Sequence, residues 1–313
     1  MPRVPLIIDT DPGADDAVAL ALALASPDAE VRAVTVTFGN VGLDQTFLNA
    51  RRLLALAGRF DVPVAAGAAR PLVHAQEEQA AEWHGNDGLS GYSGEFPDPV
   101  PADPRGAVAV MAEVLSAATE PVTVVTIGPL TNLALLHAVH PELLPRIGRI
   151  VSMGGSLSGG NTRFGVAEFN VLADPEAAHR VLTQPDVPVT LVPLDVTMRC
   201  LADAAWIEKL AGIGPRCALL AKVLGPYRDT FRARHGQDAV AIHDALAVLE
   251  AIRPGTLRSI RVPIRVACDL GPARGATVPD RRPEAPGPLV TVATDCDVDA
   301  VLDELLRRLR ALG

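Results

Sequence analysis

Lysine is almost absent from this chain. Lys209 and Lys222 are the only two in 313 residues, and acidic groups outnumber lysine plus arginine 37 to 28, for a net charge of -9. Binding to nucleic acid or to an anionic membrane needs a basic surface for counterion release or lipid attraction, so both are excluded as expectations. No GxxxxGK[ST] loop is present, and the two lysines fall in helical stretches, which leaves little for a cationic phosphate clamp. Cysteine is scarce as well: Cys200, Cys217, Cys268 and Cys296 are far apart and show neither CxxC nor zinc-type spacing. A disulfide framework and a zinc site are therefore not expected, and reduced thiols fit a cytoplasmic protein. No apolar run approaches the roughly 18 residues needed to cross a bilayer. The short apolar start after Arg3 lacks a small-residue cleavage site, which also points to the cytoplasm.

What the chain does contain is a large apolar fraction, 49%, arranged in an alternating pattern. Residues 4–9 (VPLIID) read as a buried strand and residues 15–25 (DDAVALALALA) as a helix of strong helix formers, with Pro12-Gly13 marking the turn. A strand over 30–38, a helix over 44–57 and a short strand over 62–65 complete a βαβαβ start. After a polar, Pro/Gly-rich segment over 67–104 the alternation resumes. Helices are expected near 107–118 and 130–139, and strands at 122–127, 149–153 and 187–192. Helical stretches at 202–210 and 216–232 follow, then strands at 257–266 and 289–294 and a closing helix at 298–312. No linker or internal repeat divides the chain, so residues 1–313 are expected to form one domain. The pattern predicts an α/β fold with an open, mainly parallel central sheet and helices on both faces, a Rossmann-like core. In such sheets ligands bind beyond the carboxyl ends of the strands, where this chain places Asp9 to Asp16, Gly39-Asn40, Gly128 to Asn132, Gly154 to Asn161 and Asp195.

The stretch DTDPGADD puts four carboxylates, Asp9, Asp11, Asp15 and Asp16, within eight residues at the first strand exit. A helix dipole offsets about 1 kcal/mol or less of such crowding. Two carboxylates about 4 Å apart repel by roughly 4 kcal/mol at an effective dielectric near 20. A bound cation resolves the difference, and oxygen-only ligands suit hard calcium or magnesium. The competing reading is a set of solvated helix-capping acids. Farther on, Asn161, Glu168, Phe169 and Asn170 lie in a loop opened by Gly154-Gly155, where paired donors and acceptors suit sugar hydroxyls. Trp83 to Gly88, a histidine and an aromatic beside glycines, reads either as a lid over a ligand or as a surface loop, and Ile242-His243-Asp244 as a helix start with an acidic cap.

Together and in this order these residues resemble the nucleoside hydrolase family, calcium-dependent enzymes that cleave the N-glycosidic bond of ribonucleosides. The signature DxDPGxDD is intact. Gly39-Asn40, His84-Gly85, GPLTN at 128–132, Met153-Gly154-Gly155, EFN at 168–170, DPEAA at 174–178, LDVT at 194–197 and His243-Asp244 extend the match.

The resemblance implies that Asp11 binds Ca2+ and acts as general base on water at the ion. Asp16, Asp244 and the backbone carbonyl of Ile127 complete the ion's protein shell. Asp15 and Asn170 hold the ribose 2'- and 3'-hydroxyls, Asn161 and Glu168 reach the 3'- and 5'-side, and Asn40 and Met153 line the ribose pocket. His243 matches the leaving-group acid of the inosine-uridine preferring subgroup, and His84 matches a base-contacting histidine near Phe169. Trp83, Tyr227, Phe231 and His235 are expected to tune base selectivity. The expected activity is hydrolysis of purine and/or pyrimidine ribonucleosides in salvage, by a homodimer or homotetramer. The alternatives are a DxD-type metal-dependent phosphohydrolase and a non-catalytic calcium-stabilised sugar-binding protein.

Overall fold

The computed structural model describes residues 3–76, 79–159, 165–183 and 187–313. Eleven strands are found among them: β1 (Val4–Thr10), β2 (Ala29–Val36), β3 (Val64–Ala66), β4 (Val122–Thr126), β5 (Ile147–Met153), β6 (Val189–Val192), β7 (Leu201–Asp203), β8 (Ala239–Ala241), β9 (Leu257–Val266), β10 (Thr277–Pro279) and β11 (Leu289–Cys296). Nine of them form one sheet in the order β10-β9-β11-β6-β5-β4-β1-β2-β3. The seven from β3 to β11 along that order run parallel, while β9 pairs antiparallel with both β11 and β10. The remaining two, β7 and β8, form a small antiparallel ribbon.

Strand β1 shows why both faces must be covered. Leu6 and Ile8 pack into one apolar cluster with the helices Ala14–Ala25 and His243–Ile252, whereas Ile7 between them packs into the other, with the helices Ala107–Ala117, Thr131–Val139 and Pro175–Leu182. The period of two sends alternate side chains to opposite layers. Helix Ala14–Ala25 is buried on almost every side, consistent with its run of Ala, Leu and Val, because the helices Leu43–Leu56, Pro215–His235, His243–Ile252 and Val298–Leu309 surround it.

The strand order positions the site. From β1 the chain winds one way through β2 and β3, then returns to β4 on the other side of β1 and winds away through β5 and β6. The crevice at the carboxyl ends of β1 and β4 is therefore the point where the winding reverses, the usual ligand position in such sheets. Asp11 follows β1 and Ile127 follows β4 at this crevice, with the Ile127 N–H bonded to the Asp9 carbonyl at 2.9 Å.

The polar segment over 67–104 contains a short helix, Ala81–His84, and a 3-10 turn, Ser93–Glu95. The ribbon β7–β8 and the strand β10 were not expected from the sequence, since three-residue strands are too short to display a period. The short helices Phe169–Ala173 and Leu194–Thr197 were missed for the same reason, whereas the two-turn helix Pro175–Leu182 carried a readable start in the Asp174 cap and Pro175. Among the described residues no helix is long and apolar enough to cross a membrane.

Candidate active site

Side-chain alternation separates the four aspartates of DTDPGADD. Thr10 faces the helix that follows, and its hydroxyl donates to Asp16 Oδ1 at 2.6 Å. The other Asp16 oxygen accepts from the Gly13 N–H at 2.9 Å and from Asn40 Nδ2 at 3.1 Å. Asp9 points to the opposite layer, where its Oδ1 accepts from Thr35 at 2.6 Å and from Asn132 at 2.8 Å. Its hydrogen bonds among the described residues thus go to β2 and to the helix after β4, and not to the other aspartates. Burial pushes the Asp9 carboxyl up to about 7, against the lowering effect of those two donors.

Asp11 sits past the strand end with no solvent exposure. Its Oδ2 accepts from the Asn40 N–H at 2.8 Å, and its Oδ1 is buried with no hydrogen-bond partner among the described residues. Two glycines permit this close fit. A methyl group on Gly39 would land on the Asp11 carboxylate, and one on Gly128 would meet Oδ1 at 2.5 Å.

Three further carboxylates, Asp15, Asp16 and Asp244, each bring an oxygen within 4.8 Å of the others, and all are buried. Asp244 comes from the first turn of the helix His243–Ile252, packed beside helix Ala14–Ala25. Burial, then mutual repulsion, raises the Asp15 carboxyl, and the same two causes raise Asp244. Asp11 is raised by burial and by the nearby Asp16. Four buried acids of this kind, one with an orphaned oxygen, fit a hard cation, since unpaired buried anions are otherwise strongly disfavoured. The resemblance implies Asp11, Asp16 and Asp244 around the ion; Asp16 and Asp244 meet in this cluster together with Asp15, and Asp11 lies close enough for its charge to raise Asp244. The Ile127 carbonyl, also assigned there, accepts from Asn170 Nδ2 at 3.2 Å and has a second lone pair to offer.

Above this acidic floor lies a cavity lined by Asp15, Asn40, Trp83, His84, Ile127, Met153, Glu168, Phe169, Asn170, Tyr227, Phe231, His235, His243 and Asp244. Asp11 and Asp16, both fully buried, are not among its lining residues, and Asn161 falls outside the described residues. Ala80, Leu194 and Met198 also line the cavity and were not expected from the sequence. Glu168 has a local duty that its sequence position did not reveal. It caps the helix Phe169–Ala173, accepting from the Asn170 N–H at 2.8 Å and the Val171 N–H at 3.1 Å, and it also accepts from the Gly155 N–H at 2.9 Å.

Burial disfavours the charged form of both His84 and His243. It pushes His84 down to about 3 and His243 down to about 4. His84 Nδ1 accepts from the Ala14 N–H at 3.0 Å, which places its proton on Nε2. The 3.8 Å approach of that same Nδ1 to Asp15 is consequently not an ion pair. Tyr227 stacks on the His84 ring with centroids 5.3 Å apart, Trp83 stacks on His235 at 5.9 Å, and Phe231 tilts against His235 at 4.5 Å. Outside this aromatic wall, Arg234 lies 5.6 Å over the Trp83 ring and pairs with Glu82 at 2.9 Å, joining the short helix Ala81–His84 to the helix Pro215–His235.

A cluster of buried acids at the switch point of a parallel sheet, lining one cavity with apolar and aromatic side chains and two histidines, forms the site of a hydrolase that acts on N-glycosidic bonds. The chain belongs to the inosine-uridine preferring nucleoside hydrolase family, whose pattern it matches over residues 6–303. A pyrimidine-specific ribonucleoside hydrolase, RihA, of Klebsiella pneumoniae (strain 342) is 40% identical over 314 residues, covering 98% of each chain. The protein of the same name from Photobacterium profundum is 40% identical over 312 residues, covering 97% of this chain and 98% of its own. Among solved structures, a plant nucleoside hydrolase, PpNRh1, superposes with a TM-score of 0.91 at 30% identity, covering 98% of this chain and 99% of the other. A purine-preferring ribonucleoside hydrolase from Gardnerella vaginalis superposes with a TM-score of 0.90 at 30% identity, covering 98% of both. The family is metal-dependent, in keeping with the buried acid cluster.

Proposed function

We propose that the protein is a single-domain, calcium-dependent ribonucleoside hydrolase that releases ribose and free base from pyrimidine and purine ribonucleosides in nucleoside salvage. The observation that carries this reading is a single cavity lined both by the buried carboxylates Asp15 and Asp244 and by imidazole and aromatic rings. A donor set made of several carboxylate oxygens would suit Ca2+, which tolerates variable oxygen geometry, better than the smaller Mg2+, which demands a near-octahedral site and retains its waters. The relatives of 40% identity named pyrimidine-specific support pyrimidine ribonucleosides as the better substrates.

Asp11, Asp16 and Asp244 would hold the ion with the Ile127 carbonyl, and Asp15 lies close enough to share the cradle or to take a ribose hydroxyl. When bound, a divalent cation lowers the pKa of water at an open coordination position. Asp11, with one oxygen fixed by the Asn40 N–H and the other unpartnered, is built to accept a proton from the attacking water. Asp15, Asn170, Asn161 and Glu168 orient the ribose, Asn40 and Met153 pack against it, and the carboxylates stabilise the oxocarbenium character that grows as the bond breaks. His243 donates a hydrogen bond to the departing base. His84 and Phe169 contact the base, and Trp83, Tyr227, Phe231 and His235 set its selectivity. Four free cysteines support a cytoplasmic site of action, and a homodimer or homotetramer is proposed for the assembly.

The test is a panel of the common ribonucleosides assayed for reducing sugar. Turnover is expected to be highest with uridine and cytidine, to vanish on chelation and to return with Ca2+. Asp11→Ala is expected to lose at least about 1,000-fold in kcat with an unchanged far-UV circular dichroism spectrum, an expectation that combines base and ligand roles. Full activity after complete cation removal, or in Asp11→Ala, would refute the reading.

A further inference from the structure

His243 rests on a partner that has no role in the mechanism above. The helix Leu194–Thr197 follows β6, and Thr197, with no solvent exposure, places its hydroxyl 2.7 Å from His243 Nδ1. This is the one contact of that hydroxyl among the described residues. Two arrangements of the proton are possible. If the imidazole donated, the hydroxyl hydrogen of Thr197 would be left buried with no acceptor, at a cost of about 1–3 kcal/mol. If the hydroxyl donates, both groups are satisfied and the imidazole proton must sit on Nε2.

We infer that Thr197 is a positioning residue that donates to His243 Nδ1 and thereby locks the imidazole as the Nε2–H tautomer, so that the cavity presents a donor to the base.

The backbone keeps the two residues in register. The ribbon β7–β8 pairs Leu201 with Ala241, and the Ile242 N–H donates to the Cys200 carbonyl at 3.0 Å, so the segments leading from Thr197 and into His243 run side by side. His84 reaches the same tautomer by a different donor, the Ala14 N–H. Both rings line the cavity, so two Nε2–H groups are available there. Such a pair selects bases by acceptor atoms: a ring carbonyl beside the glycosidic nitrogen, as in pyrimidines, or an unprotonated ring nitrogen, as in purines. This inference rests on the proposed hydrolase activity only for its consequences in turnover; the tautomer is a property of the protein alone.

The tautomer can be read from 15N spectra of histidine-labelled protein, with His243→Asn assigning the signal. An unprotonated Nδ1 with a protonated Nε2 is expected in the wild type, and a shift toward mixed tautomers in Thr197→Val, which keeps the side-chain shape and removes the hydroxyl. In parallel, Thr197→Val should lower kcat for uridine about 30- to 100-fold, near the lower end of the loss of one oriented hydrogen-bond donor to developing charge. KM and turnover of 4-nitrophenyl riboside, whose leaving group needs no proton, should stay within about threefold of wild type, and Thr197→Ser should restore kcat for uridine. A His243 protonated at Nδ1 in the wild type would overturn the inference, as would equal losses on both substrates or full uridine turnover in Thr197→Val. An enzyme inactive on every ribonucleoside would refute the hydrolase reading and leave the spectroscopic result standing.

Discussion

Asp11 shows how much of the site depends on what is missing around one side chain. Its carboxylate is buried between Gly39 and Gly128, where neither position has room for a methyl group. Gly39→Ala would push the carboxylate away from the Asn40 N–H that orients it. Because a misplacement of about 1 Å at a reacting group can cost on the order of 100-fold, kcat is expected to fall by about that factor while the protein still folds. Steady-state kinetics with uridine checks this, and an unaltered kcat would show that Asp11 tolerates displacement. The sequence announced the importance of Asp11 but not this packing, since Gly39 and Gly128 are adjacent to it only through the pairing of β1 with β2 and β4. Asp9 makes the complementary point. It carries the same charge two residues away, yet the strand period turns it toward Thr35 and Asn132, where it ties three elements together.

At the scale of elements, the C-terminal helix Val298–Leu309 is held to the rest of the fold through Arg308, whose side chain is 1% exposed. It donates to Glu304 at 2.7 Å and to Asp28 at 2.8 Å, and Asp28 lies in the turn between helix Ala14–Ala25 and β2. Removing one partner of a buried ion pair strands the other, so Arg308→Ala is expected to destabilise the protein by about 3 kcal/mol. That is the low end for such a change because Glu304 keeps Arg253 and Arg307 as partners and Asp28 is half exposed. Chemical denaturation measures the loss, and kcat per folded molecule should not change because the pair is remote from the cavity. The amphipathic pattern made this helix legible in the sequence. The latch was not legible, because a buried arginine is distinguished from a surface one only by what covers it.

For the whole molecule, the buried acids make cation binding and pH interdependent. Asp11, Asp15 and Asp244 all hold protons above the usual carboxylate range, chiefly through burial, and Asp16 is raised by the same cause. In the unfolded chain these groups ionise near their ordinary values, so the unfolded state binds fewer protons as pH rises. The contribution of these acids to the stability of the cation-free protein should therefore decline from acid toward neutral pH as they are forced to ionise. The histidines act in the opposite sense: with His84 at about 3 and His243 at about 4, the unfolded state binds more protons below its ordinary histidine value, and stability declines as pH falls from about 6.5. A bound cation replaces the protons on the acids, so its affinity should increase with pH and its stabilisation should be larger at about pH 8 than at about pH 5. Thermal unfolding with and without Ca2+ at the two pH values tests this, and an equal gain at both would argue that the acids are already ionised without the ion.

By itself the sequence determined the layered α/β plan, through strand and helix periods and the breaks between them. It also determined the chemistry, because DTDPGADD concentrates more like charge than a helix end can accommodate. What only the tertiary structure decided is which groups meet. Asp244 joins Asp15 and Asp16, Thr197 meets His243, Glu168 spends its oxygens on backbone N–H groups, and Asp9 leaves the site for the opposite face of the sheet. Local propensity acts over a few residues, whereas these contacts follow from strand order, from the face on which each side chain emerges, and from the burial that removes every partner but one.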